Sequence, residues 1–311
     1  MLISSSASAD SPTSEATLTP QNTQGALLNL DFEGPNYDGN PTGTYTYRST
    51  WQDLNASPGG HYEAYSVPYA QGEAPNARLQ KVQDPVSGNK YLSKLTPAGF
   101  YNASGDPTKN DKVLLQWEAE KQYNELYLSY RVKAAEGFDF NRGGKLPGLC
   151  GGTCPTGGQA VTDADDNEDG SNSGAGQATG WSARNMWRDN QGKLVQYIYA
   201  PGDTGTWGVD KPYIDNYTGV RTRINDNEWH TVEHYVKMNT PGQTNGRLMA
   251  WVDGREVLRL DGLRFRDDYS YGIDTLKISS YFGGHDPSWA PSNDSYLYLD
   301  DIVVSEKRIS H

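Results

Sequence analysis

Apolar and polar residues alternate along most of this chain in short runs, each closed by Gly, Pro, Asn or Asp. Leu28-Asn29-Leu30-Asp31-Phe32-Glu33 puts Leu28, Leu30 and Phe32 on one face, the period-two pattern of a half-buried strand. Residues 113–117, 125–132, 194–199, 229–238, 247–252, 275–282 and 295–304 follow the same rule. Trp181 to Trp187 sorts into Ser182, Arg184 and Met186 on one face and Trp181, Ala183, Asn185 and Trp187 on the other. No helix-length 3.6-residue period lies between these runs to carry a crossover, so the sheets are expected to be antiparallel.

The first and last runs are suited to pair as neighbours, and Asp253-Gly254 marks a hairpin turn. The pattern predicts an all-β fold, an antiparallel two-sheet β-jelly roll like that of lectins, over residues 25–311, behind a flexible N-terminal segment at 1–24 rich in Ser, Ala, Thr and Pro. Residues 162–180 are acidic and aperiodic and read as a mobile loop. The 311 residues carry 34 Gly, 17 Pro, 21 Tyr and 8 Trp, which suits short strands, many turns and an aromatic binding surface.

Charge narrows the function. A net charge of -12 argues against a nucleic-acid binder, which needs a basic face. It leaves room for a local basic groove, and Lys145, Arg184, Arg188 and Lys193 are placed to supply one. No apolar run approaches the ~20 residues of a membrane helix, so no membrane partner is expected. Cys150 and Cys154 are spaced for a small disulfide, which fits a composition that reads as secreted; two reduced, packed thiols are the alternative.

The chemistry concentrates in Gly143-Gly144-Lys145-Leu146-Pro147-Gly148-Leu149-Cys150-Gly151-Gly152, in Ser182-Ala183-Arg184-Asn185-Met186-Trp187-Arg188, and in Tyr197-Ile198-Tyr199. Glycine freedom on one side and a proline on the other shape the backbone that aims Lys145. These runs, in this order, resemble the β-jelly-roll polysaccharide lyases of family 14, and the arrangement is similar to family 36. The resemblance implies β-elimination on a polyuronate such as alginate, especially mannuronate-rich alginate, or glucuronan. It implies a catalytic Lys145, Ser182 and Arg184 positioning substrate, and the pair Tyr197 and Tyr199.

Elimination needs a group to neutralise the uronate carboxylate, a base, and an acid for the leaving O4. Arg184 is expected in the first role, Lys145 in the other two with Tyr197 beside it, and Tyr197 as base is the open alternative. Arg188, Met186, Tyr199 and the loop residue His285 complete the expected substrate contacts. The chemistry as drawn requires no cofactor. Asp31, Glu33 and Asp301, with Asp300 beside them, are candidate ligands of a structural calcium, and ordinary solvated strand-end acids are the alternative.

His230 and His234 lie on a strand face with Val232 and Val236 and read as packed or hydrogen-bonded structural residues. The acids at 163–169 miss the order of a calcium loop and read as solvated charge. No Glu-x-Asp-x-x-Glu strand of the laminarinase type is present, which argues against a hydrolase. A non-catalytic carbohydrate-binding jelly roll is the rival reading, separable because only a lyase loses turnover with Lys145. The protein is expected to act outside the cell, as a monomer, on an anionic polysaccharide.

Overall fold

The computed structural model describes residues 25–33, 60–66, 78–102, 109, 111, 113–156, 180–201, 207–284 and 286–309. The segment 1–24, most of the acidic loop with its run at 163–169, and His285 lie outside the described residues. The strands are β1 (Leu28–Leu30), β2 (Gly60–Ser66), β3 (Leu79–Gln83), β4 (Lys90–Thr96), β5 (Val113–Tyr123), β6 (Glu125–Ala134), β7 (Gly143–Gly152) and β8 (Gly180–Arg188). They continue with β9 (Lys193–Tyr199), β10 (Val209–Pro212), β11 (His230–Lys237), β12 (Gly246–Val252), β13 (Arg255–Leu263), β14 (Ile273–Phe282) and β15 (Ser295–Ser305).

Two antiparallel sheets form a jelly-roll sandwich. One runs β13-β12-β11-β6-β15-β4-β3 with β1 added on β15, and the other runs β10-β9-β8-β7-β14-β5-β2. The expected pairing of the first and last strands is present, with Leu28 opposite Val304 and Leu30 opposite Ile302. The expected hairpin turn at Asp253-Gly254 joins β12 to β13, and Asp253 has a φ of 50°.

Alternation decides which side chains meet between the sheets. Leu126, Leu128, Tyr130 and Val132 of β6 are all buried, as are Trp181, Ala183 and Trp187 of β8, and they belong to one continuous core. The Trp187 ring packs edge-on against Phe282 at 5.3 Å and Phe138 at 5.7 Å. Truncating such a ring costs ~3–5 kcal/mol. A polar cluster crosses the same core: the Asn185 amide donates to the Tyr130 hydroxyl at 2.9 Å, and the single Tyr213 hydroxyl proton lies between the side-chain oxygens of Gln196, at 2.7 Å, and Asn185. Met186, Val195, Tyr197 and Tyr199 form a separate cluster on the face of the second sheet turned away from this core.

The two histidines of β11 differ. His234 is fully buried, its ring nitrogens have no hydrogen-bond partner among the described residues, and burial lowers its pKa to about 3, so it packs as a neutral ring. His230 sits between Asp253 at 2.8 Å and Asp226 at 2.9 Å. Burial alone lowers its pKa, but the two carboxylates together outweigh that and raise it to about 9.

The residues expected to hold calcium are otherwise engaged. An Asp31 carboxylate oxygen accepts from the Glu33 amide and a Glu33 oxygen from the Lys90 amide. Asp300 and Asp301 face the Arg131 guanidinium at 3.7 and 3.6 Å. Burial, with the neighbouring acids, still raises the pKa of both aspartates, and Asp301 Oδ2 has no hydrogen-bond partner among the described residues. Among the described residues no group of three or more His, Cys, Asp or Glu side chains is placed to hold a metal ion.

Candidate functional site

Lys145 lies in a strand, not in a turn. Leu146 and Leu149 both face the core although they are three residues apart, because β7 carries a bulge between Lys145 and Gly148. Lys145 pairs with Met186 and Gly148 with Arg184, so β7 spends one more residue than β8 across this interval. Pro147, which has no N–H to give a ladder, falls inside the bulge. Upstream, a Cβ on Gly144 would stand 2.0 Å from the Trp187 ring, so only glycine lets that core ring lie across the strand beside the lysine. Downstream, Cys150 and Cys154 are joined by a disulfide, and the Ser182 hydroxyl donates to the Pro155 carbonyl at 2.6 Å.

These constraints deliver the Lys145 amine to the outer face of the second sheet with little freedom. Its Nζ lies 2.9 Å from the Met186 sulfur and 4.2 Å from the centre of the Tyr197 ring, and the residue is 8% exposed. No carboxylate forms an ion pair with it among the described residues. Burial, then the charges of Arg184 and Arg188, hold its pKa well below the ordinary lysine value, with Asp210 opposing them.

The lysine opens into a groove of about 630 Å³. Tyr281 of β14, directly opposite Lys145 in register, shares the floor with Tyr197. One wall carries Arg188, Asp210 and Trp207, and the other carries Arg142, Asp286 and Trp289. Arg188 is held by Asp210 through two bonds of 2.8 and 2.9 Å. The Tyr197 hydroxyl accepts from the Gly208 amide at 3.1 Å and shares a hydrogen bond with the Tyr199 hydroxyl at 3.0 Å. Burial, then the bond to Tyr197, raises the Tyr199 pKa and keeps that phenol protonated.

Several residues expected to touch substrate lie beneath the groove instead. Arg184 is fully buried: one guanidinium nitrogen reaches the Tyr281 hydroxyl at 3.4 Å, and Nε and the other amino group have no hydrogen-bond partner among the described residues. Its fork has no exposed edge with which to clamp a carboxylate, and its charge is one of the causes that lower the Lys145 pKa. Ser182, Met186 and Tyr199 are buried at the same level, because close packing of β8 and β9 beneath Lys145 and Tyr197 covers them. Lys193 pairs with Asp189 at 3.0 Å and is not among the groove residues.

Tyr281, Arg142, Asp210, Trp207 and Trp289 were not singled out from the sequence. The alternation of 275–282 was visible, but the register that sets Tyr281 against Lys145 was not. Arg142 directly precedes the glycine-lysine run, and that adjacency was its one signal.

The chain matches the family model for polysaccharide lyase 14 over residues 85–302. No curated protein matches it by sequence. Among solved structures it is similar to alginate lyase Aly36B, seen as a lysine and methionine double mutant with alginate trisaccharide, at 20% identity and a TM-score of 0.64, covering 91% of this chain and 99% of that one. It is similar to alginate lyase vAL-1 from Chlorella virus at 17% identity and a TM-score of 0.59, covering 91% of this chain and 100% of that one. Alginate lyase from Aplysia kurodai shows 22% identity and a TM-score of 0.56, over 74% of this chain and 87% of that one. At these identities the likeness is one of fold.

Proposed function

The chain belongs to the polysaccharide lyase 14 family and is a polysaccharide lyase, and from that premise we propose that it cleaves a polyuronate, mannuronate-rich alginate or glucuronan, by β-elimination at Lys145. The observation that carries this reading is a single amine on the groove floor, free of any carboxylate partner among the described residues and held well below its ordinary pKa.

The proposed steps follow from the positions of the side chains. The neutral Lys145 amine takes the proton from C5 of the uronate. The electron pair of that C–H bond spreads into the carboxylate, where Arg184 below the floor and Arg188 beside Tyr197 supply positive potential. As the C4–O4 bond breaks and the C4–C5 double bond forms, the proton held by Lys145 passes to O4. In β-mannuronate and β-glucuronate the C5 proton and O4 lie on one side of the ring, so one group can serve twice. Tyr197, with its ring against the amine, orients it and shares the proton. The similar fold of alginate lyase Aly36B, solved in complex with alginate trisaccharide, supports an anionic polysaccharide as the substrate.

The test is the ultraviolet absorbance of the unsaturated uronate product from polymannuronate, polyguluronate and glucuronan. Product is expected with the wild type and not with Lys145→Ala, which still binds polymer. No product on any of the three sinks the reading, and product with Lys145→Ala removes the lysine from its centre.

A further inference from the structure

Arg142 stands apart from the other cations of the groove. Arg188 is matched by Asp210, Lys145 is the buried amine and Arg184 lies under the floor, whereas Arg142 is an exposed groove residue with no carboxylate in ion-pair reach among the described residues. The surrounding chain nevertheless holds it firmly. Its guanidinium lies over the Trp289 ring, 4.5 Å from the centre, and Nη1 donates to the Ser288 hydroxyl. The neighbouring Asn141 amide donates to the carbonyls of Ser288 at 3.0 Å and Ala290 at 2.6 Å, fastening this corner to the 3-10 turn Pro287–Trp289.

Backbone strain sits at the same corner. Asn141 has a φ of 43° and is held there by the Asp139 carboxylate, which accepts from the Asn141 amide at 3.0 Å. Across the wall, a Cβ on Gly284 would stand 2.1 Å from the Trp289 ring nitrogen, so glycine there lets the indole lie flat beneath the arginine. A guanidinium with one N–H committed keeps four more for a ligand, in the planar fork that matches a carboxylate.

We propose that Arg142, set on Trp289, is a subsite that binds the carboxylate of a uronate other than the one being cleaved. Arg142 lies in the turn that precedes β7, whereas Lys145 lies within that strand, so the two cations line the same groove from separate elements and the fork is left to a second carboxylate. The site reads charge along the polymer. It rests on the polyuronate reading above, and its test is arranged to fail separately.

The experiment compares wild type, Arg142→Gln and Arg142→Lys on the polyuronate that yields product, and on the same polymer with its carboxylates partly methyl-esterified. Thermal melting of each variant reports folding. Arg142→Gln is expected to raise KM by about 10-fold to 100-fold, the loss of one charge-assisted contact, with kcat within about twofold. Arg142→Lys is expected to recover part of the loss, and the glutamine variant to lose the wild type's preference for the unesterified polymer. An unchanged KM, or a fall in kcat alone, overturns the subsite. If the wild type makes no product on any polyuronate, the functional reading fails instead, and calorimetric binding of a uronate trisaccharide to wild type and Arg142→Gln still decides the subsite: equal affinity overturns it.

Discussion

The first sheet and the groove around Lys145 treat charge in opposite ways. In the first, buried or half-buried charge is answered nearby: Lys94 by Asp111 at 2.6 Å, Arg131 by Asp300 and Asp301, Arg308 by Glu233 at 3.1 Å, His230 by two aspartates. On the outer face of the second sheet, Lys145, Arg184 and Arg142 gather with no carboxylate paired to any of them among the described residues. A folded chain tolerates unmatched cations poorly, since burial disfavours the charged form. Matched charge in the first sheet belongs to architecture, and the unmatched charge of the groove is what the proposed function assigns to an anion.

The sharpest way to break that contrast is Lys145→Ala. If the unmatched amine is the reacting group, turnover falls by about 10²-fold to 10⁴-fold, the ordinary contribution of a positioned acid-base residue, while polymer affinity by calorimetry changes little. A comparable loss of binding would make Lys145 a mere anchor.

Breaking a matched pair is expected to affect folding instead. Lys94→Met leaves Asp111 buried without its cation, although Thr96 and the Phe282 amide still donate to it, and is expected to cost ~3–5 kcal/mol in urea denaturation. The double variant Lys94→Met with Asp111→Leu is expected to recover much of that. Equal stability of the single variant and the wild type would show the pair to be ornamental.

The unmatched lysine also predicts a stability cost that the matched pairs lack. Its folded pKa lies below its unfolded value, so the unfolded chain binds the proton more readily, and this group's contribution rises as pH climbs from the folded pKa to the ordinary lysine value. Lys145→Met is therefore expected to melt higher than wild type at neutral pH, with the gap closing toward alkaline pH. In kinetics, Arg188→Gln removes one cation and frees Asp210, both of which favour the protonated amine. The acid limb of kcat/KM is expected to move to higher pH, and an unmoved limb would take the titration away from Lys145.

The smallest effect is expected at His230. Its pKa is raised to about 9, so its stabilisation is complete below about 6.5, the unfolded value, and fades as pH rises through about 9. His230→Gln is expected to flatten that alkaline decline in melting temperature without altering kcat.

Much of the fold was legible because strand alternation is a local signal. The outer face of β8 and the partnership of the chain's ends follow from reading every second residue. The site was legible only in part. Lys145 stood out by its glycine frame, but alternation put Arg184 on the groove face without showing that Lys145 and Tyr281 would roof it over. Depth on a face depends on what the neighbouring strands contribute, and β14 reaches Lys145 from far along the chain. Trp289 and Arg142 meet for a similar reason: the fastening of Asn141 to the 3-10 turn joins segments that no short window contains.

The central place of β14 in the second sheet bears on how the protein is made. β5 and β7 flank that strand and precede it in the chain, and β15, later still, lies between β6 and β4. During synthesis from the N-terminus, the lysine therefore emerges well before the strand that carries Tyr281 and before the turn that seats Arg142. The groove closes only on a nearly finished polypeptide, so a ribosome-bound or prematurely ended chain carries the lysine without a site around it.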